Sequence, residues 1–169
     1  MTIDVRQREY AIGLRGTDSS VLTTENIWTC TGLVGINQQR GAAFLCHLDT
    51  PFSVPGLAKL ASDLQPYGGL GSFTLFWTTG SPPWITWLMA FAPGFTRRYI
   101  WRKLGRLDTS GSVRPKFLGF SRTWIRCGLS VNADTGRISH ESYILPRRYD
   151  RFSPPKMSSF GLSKSPGSA

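Results

Sequence analysis

The sequence is divided into short apolar segments that are separated by polar, glycine-rich or proline-rich breaks. This pattern is typical of a fold in which short strands and helices alternate. Several of the segments are rich in apolar and β-branched residues. Strands are therefore predicted over residues 20–24, 31–36, 41–48 and 72–80, and a pair of strands over residues 122–145.

The predicted pair of strands is joined by the turn 132–136, in which Gly136 supplies the positive φ that a tight turn needs. This turn contains the triplet Asp-Thr-Gly, which also occurs in the signature of aspartic proteases. Those enzymes need two such carboxylates that share a proton, whereas this sequence has one copy. The triplet is therefore interpreted as part of a hairpin turn.

Three segments predict helices. Residues 53–64 have apolar positions at helical spacing with Ser53 as the N-cap, and residues 81–92 begin with two prolines. The apolar stretch 84–95 is too short for a membrane span, which needs roughly twenty residues, so it is interpreted as a core helix and no membrane contact is expected. Residues 96–106 predict a surface helix with one apolar face.

The length of 169 residues and a hydrophobic content of 40% suit a single domain, which we expect to span residues 1–148. Residues 149–169 are basic and rich in serine and proline, and a disordered tail is predicted there. The three cysteines cannot all pair, and the first residues lack the pattern of a secretory leader. Reduced thiols and a cytoplasmic location are therefore expected.

Positive charge is concentrated in the second part of the chain. Residues 1–65 hold five Lys/Arg and six Asp/Glu, whereas residues 66–169 hold fifteen and four. An anionic partner is expected, since such a field speeds association with negative molecules. Arg98, Arg102 and Arg106 share one face of the predicted surface helix and are the anion-binding candidates, although a solvated basic face is the simpler interpretation.

The segments 31–36 and 41–48 carry the most informative pair of residues. If they form an antiparallel hairpin around a loop centred between Gln38 and Gln39, opposed residues have numbers that sum to 77, which pairs Cys30 with His47. Thiol and imidazole would then lie within hydrogen-bond reach on one face. Cys46 would point into the opposite layer. A longer loop would shift this register by one or two residues.

A thiol beside an imidazole has a defined chemistry. The imidazole accepts the thiol proton, the thiolate attacks a carbonyl carbon, and the imidazole then protonates the leaving amine. Thr24, at the end of the preceding predicted strand, is the candidate to orient the ring of His47. No metal or organic cofactor is expected, because the remaining Cys and His residues lie in distant segments.

The run Thr-x5-Cys-x16-His, formed by Thr24, Cys30 and His47, resembles the catalytic arrangement of the CheD family of chemoreceptor glutamine deamidases. The catalytic domains of cytotoxic necrotizing factor and of Burkholderia lethal factor are similar in their Cys-His pair. The stretch from Gly128 to Ile138 also resembles the strand, turn and strand near the end of CheD proteins. The resemblance covers roughly residues 10–145, with its specific motifs in the first third.

The resemblance implies an α+β fold in which mixed β-sheets pack as a layered sandwich flanked by helices, as the alternating elements allow. It also implies hydrolysis of a glutamine side-chain amide on a protein partner, with Cys30 as nucleophile, and the positive charge of the chain predicts that this partner is acidic. Trp28 and Thr29 replace the Gly-Ser that CheD proteins usually have there, and with Thr31 they are expected to border the substrate entrance. The alternative is a non-enzymatic module whose basic helix and tail bind nucleic acid or an acidic protein.

Overall fold

The computed structural model describes residues 1–27, 30–49, 51–79, 91–108, 115–120, 126–143 and 161–169. Within them the chain forms two mixed β-sheets and helices, an α+β arrangement consistent with the expected sandwich. The strands are β1 (Thr2–Asp4), β2 (Glu9–Leu14), β3 (Val21–Ile27), β4 (Thr31–Asn37), β5 (Ala42–Leu48), β6 (Thr74–Thr79), β7 (Lys116–Phe120), β8 (Arg126–Asn132), β9 (Arg137–Tyr143) and β10 (Ser163–Lys164).

The smaller sheet has the order β1-β3-β8-β9, and the larger one has the order β10-β2-β5-β4-β6-β7. Neighbouring strands are antiparallel except at β1–β3, β10–β2 and β6–β7, which are parallel. The hairpin β4–β5 lies at the centre of the larger sheet, where every residue of both strands is buried. A site on this hairpin is therefore surrounded by protein on both faces.

The helices cover one face of the larger sheet. Helix α1 (Leu57–Asp63) follows a 3₁₀ turn over Pro51–Gly56, and helix α2 (Phe91–Leu107) follows β6. Leu60 of α1 and Ile100 of α2 pack in one apolar cluster with Phe44 and Leu33 of the central hairpin. Burial of each such side chain stabilises the folded protein by roughly 1.5–3 kcal/mol. The many apolar side chains in this cluster make it the main hydrophobic core.

The smaller sheet covers the other face of the larger one. Its inward side chains, among them Leu22 and Leu129, form a second apolar cluster with Val34 and Leu45. Alternation along β5 divides its residues between the two clusters, because successive side chains of a strand point to opposite faces. Cys46 therefore lies in the helix-side core, which confirms the prediction that it points away from His47.

Most of the predicted local elements are present. The hairpin β8–β9 is closed by the predicted turn, with Gly136 at φ 68°. Ser53 does not cap a helix, because it is buried inside the 3₁₀ turn and α1 begins after Gly56 without a side-chain cap. Of the predicted helix over 81–92, only residues 91–92 are described, as the start of α2. No helix in the described ranges is long and apolar enough to cross a membrane.

The last nine residues differ from the disordered tail that their composition predicts. Leu162 is buried in the helix-side core, and β10 pairs in parallel with the outer edge of β2. The backbone N–H of Ser165 donates to Tyr10 O at 2.8 Å, and that of Ala169 donates to Ile12 O at 3.0 Å. Composition reflects only which side chains can be buried, whereas an open strand edge offers backbone partners to any sequence. The rest of the predicted tail lies outside the described residues.

Candidate functional site

The register of the central hairpin differs from the predicted one by two residues. Strands β4 and β5 are joined by the four-residue turn 38–41, with Asn37 opposite Ala42 and Gly41 in the left-handed region at φ 60°. His47 therefore lies opposite Gly32, and the predicted direct pairing of Cys30 with His47 is wrong. A glutamine pair is a poor two-residue turn, whereas a longer loop that ends in a left-handed glycine is favourable.

Cys30 and His47 nevertheless face the same buried layer. A shift of two residues leaves each side chain on its original face, since the side-chain period of a strand is two. Cys30 lies in the cluster between the sheets with Val34 and Leu45, and it stands two positions before Gly32, the residue opposite His47. Diagonal neighbours of this kind have Cα atoms about 7–8 Å apart, within reach of long side chains.

The thiol and the imidazole are not hydrogen-bonded in this structure. The Nε2 atom of His47 is buried and has no hydrogen-bond partner among the described residues. The ring is held instead through its other nitrogen. Nδ1 of His47 lies 2.7 Å from Oγ1 of Thr24, and both residues are buried.

Thr24 belongs to the smaller sheet, so this hydrogen bond joins the two sheets. Thr24 follows Leu22 on the inward face of β3, by the ordinary alternation of a strand. Directly after it the strand is bulged, with Asn26 at φ 60°, which returns Ile27 to the inward face. The threonine of the Thr-x5-Cys-x16-His run is thus brought to the histidine across the interior of the sandwich.

Burial keeps the imidazole neutral. Desolvation lowers the pKa of His47 to about 4, and the negative charge of Asp49 offsets this in part. Asp49 forms an ion pair with Arg8, whose Nε lies 2.6 Å from Oδ2. A neutral ring has one nitrogen that carries a proton and one that accepts, so the hydrogen bond to Thr24 decides what Nε2 can do.

Cys30 is 5% exposed and is held by two contacts that its sequence position did not predict. The hydroxyl of Thr79 donates to the carbonyl oxygen of Cys30 at 3.0 Å, which fixes the backbone at this cysteine. The side-chain amide of Gln7 donates from Nε2 to Sγ at 3.8 Å. Neither residue is near Cys30 along the chain, and no local motif marks them.

Gln7 lies in a tight turn that is attached to the site. The N–H of Glu9 donates to Arg6 O at 3.0 Å, and the N–H of Arg8 donates to His47 O at 2.8 Å. With the ion pair between Arg8 and Asp49, these bonds hold the turn against the end of β5. Arg8 itself has φ 63°, a conformation that a non-glycine residue adopts only when its surroundings impose it.

Of the residues predicted for the substrate entrance, Thr31 is the one that the structure describes. Thr31 is 3% exposed and lies directly opposite Leu48, which faces the helix-side core. It therefore points away from Cys30 and His47, as every second residue of a strand must. Trp28 and Thr29 lie outside the described residues.

The basic residues of α2 form a separate surface. Arg98, Arg102 and Arg106 are exposed, while Ile100 and Leu104 on the other side of the helix are buried. This matches the predicted amphipathic pattern. Because α2 packs on the helix side of the larger sheet, the arginines do not line the layer that contains Cys30 and His47.

A second group with the same residue types lies in the layer between the sheets. Thr78 Oγ1 lies 2.8 Å from His140 Nε2 and 3.9 Å from Cys127 Sγ, and that thiol donates to Ile27 O at 3.6 Å. Burial raises the pKa of Cys127 to about 11 and lowers that of His140. The thiol is thus kept protonated, so we interpret this group as a structural contact between β6 and the smaller sheet.

No protein-family model matches the sequence, and no curated protein matches it either. Within the described ranges, no three His, Cys, Asp or Glu residues are close enough together to hold a metal ion.

Proposed function

We propose that this protein is a glutamine deamidase that acts on a protein substrate, with Cys30 as the nucleophile, His47 as the base and acid, and Thr24 as the residue that orients His47. The observation that carries the proposal is the 2.7 Å hydrogen bond between Thr24 and His47, beside a buried thiol on the same face. These are the three residues that resemble the catalytic run of CheD proteins.

The polarity of the Thr24 contact suits this role. When Nδ1 of His47 carries the proton, it donates to Thr24 Oγ1 and leaves the lone pair of Nε2 directed away from that bond. Nε2 is the atom that has no hydrogen-bond partner among the described residues. A neutral ring with an unused acceptor is what removal of a thiol proton requires.

The reaction begins when the Cys30 thiol transfers its proton to Nε2 of His47. The sulfur then forms a bond to the side-chain carbonyl carbon of glutamine, and the carbonyl oxygen takes the negative charge. When that intermediate collapses, the C–N bond breaks and the imidazolium protonates the leaving ammonia. Water, deprotonated by His47, hydrolyses the resulting thioester, which releases glutamate and restores the thiol.

The first step requires the thiol of Cys30 to move, since Cys30 and His47 are not hydrogen-bonded in this structure. Catalytic hydrogen bonds are often long before the substrate binds and shorten in the complex. The sulfur of Cys30 contacts Gln7 in this structure. The proposed mechanism therefore requires the thiol to turn from Gln7 to the Nε2 atom of His47 when the substrate binds.

The proposed partner is an acidic protein with an exposed glutamine. The net charge of +10 and the exposed arginines of α2 favour the approach of a negatively charged surface. The reaction itself uses only side chains and water, so the mechanism includes no cofactor. A cysteine nucleophile must stay reduced, which fits the proposed cytoplasmic location.

Cysteine alkylation tests this proposal. Native protein treated with iodoacetamide is expected to be modified at Cys30 before Cys46 and Cys127, because His47 is the proposed base for Cys30 whereas burial raises the pKa of both other thiols. His47→Ala is expected to slow the reaction of Cys30. The activity itself is measured as release of ammonia from a synthetic peptide in which one glutamine is flanked by glutamates. Equal alkylation of the three thiols, or ammonia release that persists in Cys30→Ala, contradicts the proposal.

A second candidate function is nucleic-acid binding by α2. It is favoured by the three exposed arginines on one helical face beside Tyr99, which is 38% exposed and available for stacking on a base. Binding of a single-stranded oligonucleotide should then fall steeply between about 50 and 200 mM salt. The variant Arg98→Glu/Arg102→Glu should lose it, and absence of binding at low salt excludes this function.

A further inference from the structure

The side chain of Gln7 carries the same chemical group as the proposed substrate and lies against the proposed nucleophile. Its amide nitrogen is 3.8 Å from the sulfur of Cys30. We propose that Gln7 is an internal stand-in for the substrate glutamine, which occupies the carboxamide subsite beside Cys30 and keeps it closed until a substrate side chain displaces it. This inference rests on the proposed function and adds to it how the site is regulated.

The turn that carries Gln7 is built to hold this position. Its neighbour Arg8 is attached to the site twice, through its N–H to His47 O and through its guanidinium to Asp49. On the other side, the N–H of Ser163 donates to Arg8 O at 2.8 Å. These bonds fix the backbone on both sides of Arg8, so Gln7 is presented to Cys30 without a large entropic cost.

The stand-in competes with the substrate for the space in front of the sulfur. The amide of Gln7 donates to Sγ, while Nε2 of His47 has no partner among the described residues. Gln7 therefore closes the site by covering the sulfur, and its N–H does not prevent the thiol from donating to His47. Removal of the Gln7 amide is expected to open the space in front of the sulfur.

The orientation of the Gln7 side chain explains why Cys30 does not deamidate it. The atom that contacts the sulfur is the amide nitrogen, which is the leaving group of the reaction, whereas attack requires the sulfur to meet the carbonyl carbon. The contact is therefore that of a bound but unproductive amide.

Displacement does not require the protein to unfold. The bonds that hold the turn come from the backbone and from Arg8, whereas the side chain of Gln7 is only half-buried. A substrate glutamine can take the subsite if the Gln7 side chain changes rotamer, while the turn stays in place.

The experiment measures the rate at which iodoacetamide modifies Cys30 in the full chain, with Gln7→Ala and the matched control Gln39→Ala. Gln39 is exposed in the turn 38–41, so its variant is expected to react like the wild type. Gln7→Ala is expected to react about fivefold faster or more, which is the factor for the loss of one hydrogen bond. An unchanged or slower rate overturns the proposal, because the amide would then be neutral toward the thiol or would activate it.

A second measurement tests the subsite itself. In Gln7→Ala the emptied subsite is expected to bind propionamide, so that this amide slows the alkylation of Cys30 in a saturable way while propionate does not. Wild-type protein is expected to respond less, since Gln7 already fills the subsite. Equal effects of propionamide and propionate on Gln7→Ala overturn the proposal, and so does a gain of 1 Da at Gln7 in the wild type that requires Cys30.

The proposed function can fail independently of this inference. If Gln7→Ala is alkylated faster and Gln7→Ala/His47→Ala is alkylated equally fast, Gln7 covers Cys30 but His47 is not its base. That result supports the covering of the thiol and contradicts the proposed deamidase mechanism. If the glutamine peptide releases ammonia in a Cys30-dependent reaction and Gln7→Ala alters neither that rate nor the alkylation rate, the result supports the proposed deamidase. It contradicts the proposed role of Gln7.

Discussion

The hydroxyl of Thr24 and the imidazole of His47 are joined by a 2.7 Å hydrogen bond that crosses from the smaller sheet to the larger one. Both residues are buried, so water cannot replace either partner. The same contact therefore contributes to the stability of the sandwich and to the orientation of the ring. The stability part can be measured without knowledge of any substrate.

Replacement of Thr24 by valine is expected to lower the free energy of unfolding by about 1–3 kcal/mol, because a buried nitrogen of His47 loses its partner. Thr24→Ser keeps the hydroxyl and is expected to retain most of the stability and of the Cys30 alkylation rate. Urea unfolding and alkylation kinetics measure the two effects. If valine and serine lower the alkylation rate equally, the hydroxyl does not orient His47.

The pKa of His47 predicts how stability depends on pH. Its folded value of about 4 lies below the ordinary value of 6.5, so between these values the unfolded chain binds the proton and the folded protein does not. The contribution of the neutral ring to stability is thus complete above pH 6.5 and is lost as the pH falls. At pH 4 the loss is expected to be about 3 kcal/mol.

Unfolding in urea at several pH values measures this dependence, and His47→Asn is the control because it cannot titrate. The carboxylates contribute equally to both proteins, so the difference between the two curves isolates His47. Parallel curves from pH 7 to pH 4 would show that the ring is not buried and neutral.

Gly32, which lies opposite His47, is expected to tolerate no larger residue. A Cβ atom there would lie 2.7 Å from Cδ1 of Ile27 and 3.0 Å from Cδ2 of Leu129, both from the smaller sheet. Gly32→Ala is therefore expected to lower the free energy of unfolding by about 1–3 kcal/mol.

The matched control for Gly32 is Gly105 on α2, where a Cβ atom would have no neighbour within 4 Å. Gly105→Ala is expected to raise the free energy of unfolding by about 0.5–1 kcal/mol, since alanine is the better helix former. Thermal unfolding of both variants measures the contrast. Equal effects of the two substitutions would mean that the sheets are not in contact at Gly32.

Substitution of Leu162 tests whether residues 161–169 belong to the folded domain. Its side chain is buried in the helix-side core and contacts the backbone at Gly56. Leu162→Ala is expected to lower the free energy of unfolding by about 2–4 kcal/mol. The exposed Lys164 on the same strand is the control, and Lys164→Ala is expected to stay within about 0.5 kcal/mol of the wild type. An unaffected Leu162→Ala would support the disordered tail that composition predicts.

The sequence predicted which face each residue of the central hairpin occupies better than it predicted which residues are opposed. Cys30 and His47 share a face whether the residue numbers of opposed pairs sum to 77 or to 79, because both registers preserve the alternation of the strand. The exact pairing depended on the four-residue turn that ends at Gly41, whose length nothing in the apolar pattern specifies.

Pairing at the edge of the larger sheet was also not predicted from the sequence. Strand β2 and the short strand β10 were not predicted, although both lie in the larger sheet. The pairing of Ser163 with Glu9 uses backbone atoms, so the serine-rich and glycine-rich sequence around it gives no signal. Only the presence of an unpaired edge on β2 makes a strand of these residues.

The sequence by itself determined the alternation of short elements and the Thr-x5-Cys-x16-His spacing, because these depend on local periodicity and on residue type. The resemblance carried by that spacing implied the α+β class, which the alternating elements allow. Only the tertiary structure decided that Thr24 reaches His47 from the other sheet and that Gln7 lies on Cys30. Such contacts join residues 23 positions apart in both cases. They depend on how two sheets and one turn pack together, which no local sequence pattern encodes.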